Sequence, residues 1–506
     1  MLTLIILLTL AAPLHADGDG LRMPAIYTDH MVLQRDRSLT IRGEARAGEA
    51  ITVRIRRQEH TAKADAQGHW TVTLDAMPAD TGLTLRIASP TRTISYTDVA
   101  VGDVWLCSGQ SNMAFPVSGI ERAERACLRA FAQMHPAVRL YLMQPSRIPF
   151  AEVWGPAMLD SLNRLQYFLP ARWQPCDERS VSSFSAIATA FARRLQASTD
   201  VPIGLILNAV DGAPLEAWID PETLAKASPD MLHKQPTNAL IHPWTRTRIA
   251  LNLQRATSSD QRHPYQPAYL FDAGIRPLCG YPVRGVLWYQ GESNAHDTAA
   301  YAHFFPLLVS GWRHHLGDPR LPFLFVQLSA TDKPNWGPFR DMQRRLPGRI
   351  PACYMAISAD RGDSLNIHYP HKLDVGERLA RLALRYVLGY ADVIADGPSI
   401  ERATLCGRTV TLHLRPADSL HTSDGLPPRT FELAGTDGRF QPAQAAIIRQ
   451  GVRVYTPLVA RPCRVRYAWP SFNRANLIGR ADLPLSTFQL PILPDPLAGI
   501  IPWAKD

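Results

Sequence analysis

Five short and almost wholly apolar runs, separated by longer amphipathic segments, constrain the fold of this chain more than any other feature. The runs cover residues 138–142, 203–207, 285–289, 323–327 and 353–357. Strands buried on both faces of a parallel sheet have this composition. The amphipathic segments 184–196, 301–316 and 373–388 lie between or after them. The alternation predicts an α/β fold, in which helices flank a parallel sheet and reactive loops follow the strands.

The regions on either side have a different pattern. Residues 21–100 alternate apolar and polar positions in short runs with Gly and Asp breaks, which predicts an N-terminal antiparallel β domain. Residues 396–506 return to short strands with Gly, Pro and Asp turns, which predicts a C-terminal β-rich region. The catalytic α/β domain then spans 101–395. Within it, the polar, proline-bearing and aperiodic stretch 218–276 is interpreted as an insertion between two core strands.

Charge and cysteine content exclude several classes of protein. The chain has 506 residues and a formal net charge of +9, but its basic residues are scattered without a Lys/Arg-rich run or an interleaved aromatic platform. A nucleic-acid partner is therefore not expected. The seven cysteines are dispersed and include no Cys-x-x-Cys spacing, so no zinc site is predicted.

Residues 1–16 have the composition of a secretory signal with cleavage after Ala16, although no Lys or Arg precedes the apolar run. The run is too short to span a bilayer. We expect a secreted or periplasmic protein without a membrane span.

A candidate nucleophile lies where an apolar strand meets a polar turn, in the string Val104-Trp105-Leu106-Cys107-Ser108-Gly109-Gln110-Ser111-Asn112-Met113. A turn at the carboxyl end of a strand presents the Ser111 hydroxyl to a substrate. The Gly-x-Ser-x-Gly elbow of the α/β-hydrolases is absent, so a different serine hydrolase architecture is required. An ordinary turn explains the same residues, and the hypothesis needs a base and oxyanion donors elsewhere.

Three further strings supply such groups. Gly212, in Asn208-Ala209-Val210-Asp211-Gly212, permits close approach of a backbone N–H to an oxyanion. Trp288-Tyr289-Gln290-Gly291-Glu292-Ser293-Asn294 places amides and a carboxylate directly after a buried strand. The loop from Asp360 to Lys372 carries His368. His368 and His371 lack further ligands, so a metal is not expected there.

These strings together resemble the sialate O-acetylesterase family of SGNH-type serine esterases. The resemblance covers nearly the whole chain, from Asp29-His30-Met31-Val32-Leu33-Gln34-Arg35 through Pro214-Leu215-Glu216-Ala217-Trp218 and Ile367-His368-Tyr369-Pro370-His371-Lys372 to Val465-Arg466-Tyr467-Ala468-Trp469. It implies an SGNH-hydrolase-like parallel sheet and an esterase that needs no cofactor or metal. It further implies Ser111 as the nucleophile and His368 as the general base. The oxyanion hole would combine the N–H groups of Ser111 and Gly212 with a side-chain amide from Gln290 or Asn294.

Two positions depart from the family pattern. The family usually has paired glycines where this chain has Asp211-Gly212, and an aspartate where this chain has Asn366, two residues before His368. An asparagine cannot supply the charge that stabilises an imidazolium, so an active enzyme needs another carboxylate. We favour Glu292, because a group at a strand end is held rigidly. Asp363 is the rival, and Asn366 itself could orient the ring without a charge.

The expected substrate is an O-acetylated sialic acid. Because the catalytic strings do not encode the sugar, an acetylesterase acting on another carbohydrate such as acetylated xylan is the first alternative. A non-catalytic carbohydrate-binding protein is the second, since the departures at Asp211 and Asn366 would also fit a degenerate site.

Overall fold

A computed structural model describes residues 20–232 and 240–494 of the chain. The predicted signal segment 1–16 and the end of the predicted C-terminal region lie outside the described residues. Within the described ranges, no helix combines the length and the apolar character that crossing a membrane requires.

The N-terminal part is built from strands. They are β1 (Val32–Gln34), β2 (Leu39–Glu44), β3 (Ala50–Ile55), β4 (Gln58–Lys63), β5 (His69–Leu74) and β6 (Asp80–Ala88). Strands β2 and β5 pair in an antiparallel manner, as do β3 with β4 and β3 with β6. In β5 every second residue is buried, because one face of the strand packs on the core while the other meets solvent.

In the described ranges, seven strands lie side by side in the central part of an 11-stranded sheet, which also includes β1, β3, β4 and β6. The seven strands are β7 (Thr93–Gly109), β8 (Val138–Leu142), β9 (Trp173–Pro175), β10 (Ile203–Ala209), β11 (Gly285–Tyr289), β12 (Phe323–Val326) and β13 (Cys353–Ala356). Their order is β13-β12-β11-β7-β10-β8-β9, and all neighbours are parallel except β8 and β9. The predicted parallel sheet is therefore confirmed, with each of the five apolar runs on its own strand.

Strand β7 connects the two parts of the molecule. Its first half pairs with β6 of the N-terminal strands, and its second half is the middle strand of the central sheet. Every residue from Val99 to Gly109 is buried. The predicted domain boundary at residue 100 thus falls inside a continuous strand. Because the second half of β7 pairs with β10 on one side and β11 on the other, the turn that follows β7 is fixed between two neighbouring strands.

Ten α-helices accompany the sheet in residues 20–232 and 240–494. They are α1 (Ser111–Ala114), α2 (Arg122–Met134), α3 (Pro156–Asn163), α4 (Glu178–Ser182), α5 (Ala186–Gln196), α6 (Pro221–Ala227), α7 (Pro243–Asn252), α8 (Thr298–His315), α9 (Trp336–Arg345) and α10 (Leu373–Leu382). Helix α5 packs against α10, and α8 packs against α9. The three predicted amphipathic segments coincide with α5, with α8, and with α10 and the π-helix Ala383–Val387 that continues it.

The stretch predicted as an insertion, 218–276, carries α6, α7, the 3-10 helix Pro229–Leu232 and the π-helix Phe271–Ile275. Several of its aromatic side chains are buried in the main core, among them Tyr265, Tyr269 and Phe271. Because these rings are large and apolar, the stretch packs tightly beside the carboxyl ends of β10 and β11 in spite of its polar composition.

The C-terminal part is a closed β-barrel with its own core, which confirms the predicted β-rich region. Its elements are β14 (Ser399–Cys406), β15 (Thr409–Arg415), β16 (His421–Thr422), β17 (Phe431–Ala434), β18 (Phe440–Ile448), β19 (Gly451–Tyr455), β20 (Arg464–Tyr467), β21 (Leu477–Ile478) and β22 (Phe488–Pro494). The barrel order is β14-β15-β19-β18-β17-β20-β22, with β16 and β21 paired separately.

One buried arginine joins the barrel to the central sheet. Arg340 on α9 is fully buried, and its guanidinium donates to the backbone oxygens of Ala468, Pro470 and Ser471 at 3.0, 2.8 and 3.2 Å. Burial lowers its pKa to about 9. These bonds compensate the desolvation of the guanidinium only while the barrel is docked.

Candidate active site

Ser111 is the first residue of α1, directly beyond the middle strand of the sheet. The turn that presents it is fixed by Gly109, which has a φ of +132° and lies so close to β11 that a Cβ there would be 2.1 Å from the Tyr289 oxygen. Gln110 N–H donates to that same oxygen at 2.9 Å. Ser111 is 8% exposed, and neither its hydroxyl nor its N–H has a hydrogen-bond partner within the described ranges. Both groups are therefore available to a substrate.

The loop after β10 lies beside this turn, because Ala209 pairs with Gly109. Two backbone oxygens of this loop accept hydrogen bonds from side chains. Tyr265 Oη donates to Asp211 O at 2.5 Å, and Ser293 Oγ donates to Gly212 O at 3.0 Å. Gly212 has a φ of +68°, and a Cβ there would be 2.4 Å from Tyr265 Oη. In the described part of the chain the Gly212 N–H has no partner, so it is free to bind an oxyanion.

The two amides that the sequence predicts as oxyanion donors support this loop. Gln290 Nε2 donates to Ala213 O at 3.3 Å and to Asn294 Oδ1 at 2.7 Å, which occupies both of its N–H bonds. Asn294 Nδ2 donates to Glu216 Oε2 at 3.0 Å, and its Oδ1 also accepts from Leu215 N at 2.9 Å. The structure thus leaves Gln290 no free donor for a substrate, and both side chains hold residues 213–216 in place.

A buried chain of hydrogen bonds connects the turn that carries Ser111 to the other strand ends. Lys372 Nζ donates to Asn112 Oδ1 at 2.6 Å, and Asn112 Nδ2 donates to Glu292 Oε1 at 2.6 Å. Burial lowers the pKa of Lys372 to about 8 and raises that of Glu292, which the hydrogen bond from Asn112 partly opposes. Neither Asn112 nor Lys372 was among the predicted site residues. Their strings contained them, but a lysine at the start of a helix normally points to solvent.

The same asparagine anchors the histidine loop, because Asn112 Nδ2 also donates to the Ile367 oxygen at 3.2 Å. The next residue, His368, is partly buried, and its ring centroid is 6.1 Å from that of Phe115. Asn366 Oδ1 accepts from His368 N at 2.9 Å, and Asp363 Oδ1 accepts from Asn366 N at 2.8 Å. Both side chains therefore define the backbone of the loop, and no described hydrogen bond joins either of them, or Glu292, to the imidazole.

The electrostatic surroundings of His368 come from three sources. Burial lowers the pKa of the imidazole, Asp211 opposes this by raising it, and Lys372 lowers it further. The net result is a lowered pKa, so the ring is neutral near pH 7 and can accept a proton. No hydrogen bond joins His368 to Ser111 among the described contacts. Such bonds are often long in an enzyme without substrate and tighten when it binds.

An aromatic and basic wall borders the Gly212 loop. Trp244 on α7 is 41% exposed and lies 3.1 Å from the position of a Cβ on Gly212. Its ring centroid is 5.9 Å from that of Tyr265, and the Arg248 guanidinium lies 5.4 Å from it. Arg248 Nη1 is buried and has no hydrogen-bond partner among the described groups. Sequence reasoning missed this wall because α7 lies in the stretch interpreted as an insertion.

One group in the described part of the chain has the composition of a metal site, and it lies elsewhere. Suitable ligand atoms of Asp220, Glu222 and His315 are all within 4.8 Å of one another. Asp220 Oδ1 caps α6 by accepting from Thr223 N at 2.8 Å, and Arg276 pairs with Glu222 at 3.2 Å. These partners account for the cluster as a set of structural ion pairs. His371, considered with His368 in the sequence, pairs with Glu124 at 3.1 Å.

Comparison with known proteins gives a consistent result. A family model described as "Carbohydrate esterase, sialic acid-specific acetylesterase" matches residues 271–385. Sialate O-acetylesterase of Mus musculus is 28% identical over 516 residues, which cover 92% of this chain and 93% of that protein. The Homo sapiens protein of the same name is 28% identical over 430 residues, covering 78% and 77% of the two chains. The crystal structure of a carbohydrate acetylesterase from Xanthomonas citri superposes with a TM-score of 0.76 at 31% identity, covering 93% of this chain and 99% of that one.

Proposed function

The chain belongs to the sialate O-acetylesterase family of carbohydrate esterases, and from this premise we propose that it removes acetyl groups from O-acetylated sialic acids through an acetyl-enzyme intermediate. It is a carboxylic ester hydrolase. The observation that carries the proposal is that the free hydroxyl and N–H of Ser111 share one sheet edge with the free N–H of Gly212 and with the His368 loop.

In the proposed mechanism Ser111 is the nucleophile and His368 the general base. His368 takes the hydroxyl proton as Ser111 Oγ attacks the acetyl carbonyl, and the N–H groups of Ser111 and Gly212 stabilise the tetrahedral oxyanion. The protonated imidazole then gives the proton to the departing sugar oxygen. A water molecule, activated by the same imidazole, releases acetate and restores the serine.

We assign the other predicted residues to supporting roles. Gln290 and Asn294 keep the Gly212 loop in position through Ala213, Leu215 and Glu216. Glu292 holds Asn112, which in turn holds the backbone before His368. This set of strand-end residues supports an SGNH-type assignment for the catalytic sheet, with the serine, the oxyanion glycine and the histidine each on a different loop.

The wall beside the Gly212 loop favours an acidic sugar over a neutral one. An exposed tryptophan is suited to stack on a sugar ring, and Trp244 lies at the oxyanion loop. The guanidinium of the partly exposed Arg248 lies 5.4 Å from the Trp244 ring, and a guanidinium matches a carboxylate. Sialic acids carry a carboxylate, whereas acetylated xylose units do not. The wall therefore supports a sialic acid as the substrate.

Turnover of O-acetylated sialic acid, acetylated xylan and a neutral aryl acetate tests the assignment. We expect Arg248→Met to raise KM for the acetylated sialic acid about tenfold or more, corresponding to the loss of about 1.4 kcal/mol or more, while turnover of the aryl acetate stays unchanged. Arg255→Met is the matched control, because Arg255 is exposed on the same segment beyond α7. Preferential hydrolysis of xylan, or equal effects of the two variants, would favour the alternative polysaccharide esterase.

We further propose that residues 1–16 are removed on export and that the mature enzyme is secreted or periplasmic. The support is the apolar segment itself, which ends at Ala16 before an Asp/Gly tract. Intact mass of the protein recovered outside the cytoplasm tests this: an N-terminus at Asp17 is expected, and a full-length cytoplasmic protein would contradict it.

A further inference from the structure

The loop that carries Gly212 also carries a carboxylate with no structural task. The backbone oxygens of Asp211 and Gly212 are bound by Tyr265 and Ser293, at 2.5 and 3.0 Å. Tyr265 is only 2% exposed, so the loop backbone is fixed against the core. The Asp211 carboxylate, in contrast, takes part in no described hydrogen bond or salt bridge, although the residue is partly buried. A partly buried carboxylate without a partner is costly, which favours a role in the site.

The other carboxylates near His368 each have at least one hydrogen-bond partner. Glu292 Oε1 accepts the Asn112 amide at 2.6 Å, although its Oε2 is buried without a partner among the described groups. Asp363 is exposed and accepts from the backbone N–H groups of Leu365 and Asn366, both at 2.8 Å. Asn366 in turn accepts from the backbone of His368. Each of these side chains maintains a local structure, and none contacts the imidazole among the described hydrogen bonds.

Asp211, on the loop after β10, and Lys372, at the start of α10, are the two charged groups that act on the pKa of His368. The sheet places the Asp211 loop beside the Ser111 turn, because Ala209 pairs with Gly109, and Asn112 of that turn holds the backbone before His368. No described hydrogen bond joins Asp211 to the imidazole, and the neutral Phe115 ring is a further neighbour. The interaction with Asp211 is mutual: it raises the pKa of His368, and His368 lowers that of Asp211, whose pKa burial otherwise raises. Lys372 is itself compensated through Asn112 and Glu292. Asp211 is thus the negative charge that an imidazolium at residue 368 would meet.

We propose that Asp211 is the positioning carboxylate of this site, and that its charge on the oxyanion loop replaces the aspartate that the family pattern places at residue 366. The inference rests on the proposed function. When His368 takes the proton from Ser111 Oγ, the ionised Asp211 stabilises the imidazolium and stays ionised. The proton then passes to the sugar oxygen that leaves, so no net proton is gained by the carboxylate. The two departures from the family pattern then belong together: the aspartate is lost at residue 366, and a new aspartate at residue 211 takes over its charge.

The exchange can be reversed by mutation. We expect Asp211→Asn to lower kcat for an aryl acetate by about 10²–10⁴-fold, since the amide keeps the shape but not the charge. The rising limb of kcat/KM should move to lower pH, because the group that raises the pKa of His368 is lost. Asp211→Gly should behave similarly, and the double variant Asp211→Gly with Asn366→Asp should recover most of the activity. Asn366→Asp alone should change kcat less than about tenfold.

Tyr265→Phe is the matched control for a purely structural role, because it removes the bond to the Asp211 backbone without changing the charge. It should lower kcat with no shift of the rising limb. An Asp211→Asn variant within twofold of the natural enzyme, or one that loses activity with an unmoved limb and no rescue by Asn366→Asp, would overturn the inference. Ser111→Ala keeps the two proposals separate: an active Ser111→Ala refutes the proposed function, whereas an inactive one with a fully active Asp211→Asn refutes only the role of Asp211.

Discussion

Replacing Glu292 with glutamine tests whether this residue supports Asn112 or acts directly on His368. Sequence reasoning favours Glu292 as the partner of His368. In the structure Glu292 Oε1 accepts from Asn112 at 2.6 Å, and Lys372 provides the nearby positive charge. Glutamine keeps the shape and an acceptor oxygen but removes the negative charge. The perturbation therefore reports what the charge itself contributes.

The expected magnitudes follow from these contacts. A hydrogen bond to a charged acceptor contributes about 1.5–3 kcal/mol and a neutral one about 1 kcal/mol, so Glu292→Gln should cost about 0.5–2 kcal/mol of stability. Asn112 also donates to the Ile367 oxygen, so a displaced Asn112 should hold the His368 loop less firmly. We expect kcat to fall less than about 100-fold, compared with about 10⁴-fold when the acid of a triad becomes an amide.

Aryl-acetate turnover and thermal unfolding should be measured on the same preparations. Asp363→Asn is the matched carboxylate-to-amide change on the histidine loop, and it should leave kcat within about tenfold, because its oxygen can still accept from the loop backbone. A fall of about 10⁴-fold in either variant with unchanged thermal stability would refute the reasoning, since that residue would then act on the imidazole directly.

Three further outcomes follow from single residues. Gly212→Ala should lower kcat about 10²–10³-fold, since a Cβ would lie 2.4 Å from Tyr265 Oη and displace an oxyanion donor, and aryl-acetate kinetics check it. The pKa of Lys372 is lowered from 10.5 to about 8, so the unfolded chain binds the extra proton between those values. Lys372 should therefore add about 3 kcal/mol of stability as pH increases through that window, while buried Cys and Tyr side chains with raised pKa values act in the opposite direction. The difference in urea-unfolding free energy between the natural protein and Lys372→Met should change by that amount over the same pH range. Arg340→Met leaves three backbone oxygens without their donor, and calorimetry should show a loss of at least about 3 kcal/mol.

The central sheet was predictable because burial on both faces dictates its composition. The run 285–289 is fully buried and matches β11 residue for residue. The turn that carries the candidate nucleophile was also predictable, since Ser111 lies just beyond the fully buried second part of β7. Local patterns of this kind depend on neighbours in the chain, which the sequence displays directly.

The hydrogen bonds that join side chains at different strand ends were not predictable. Lys372, Asn112 and Glu292 form one buried chain, but they come from three distant parts of the sequence. Glu292 follows a core strand, which made it a reasonable candidate for the acid. Only the fold reveals that its Oε1 accepts a hydrogen bond from Asn112. The Asp211 loop lies beside the Ser111 turn for the same reason, because the sheet order brings the ends of β7 and β10 together.

The stretch around α7 was the least predictable part. Its polar composition suggested an insertion between two core strands, yet Tyr265 is buried in the main core and Trp244 borders the Gly212 loop. Aromatic residues spaced irregularly along a chain carry no periodic signal, and only their packing discloses which of them form a core and which line a site.

The most direct test of the account is the identity of the acetylated residue during turnover. The enzyme would be mixed with an aryl acetate, quenched in acid, and analysed by intact mass and peptide mapping. We predict the mass of one acetyl group on Ser111. Ser111→Ala should show neither the adduct nor turnover and should unfold within about 0.5 kcal/mol of the natural protein, because the hydroxyl makes no described hydrogen bond. An acetyl group on another residue, or undiminished turnover by Ser111→Ala, would contradict the assignment of Ser111 as the nucleophile.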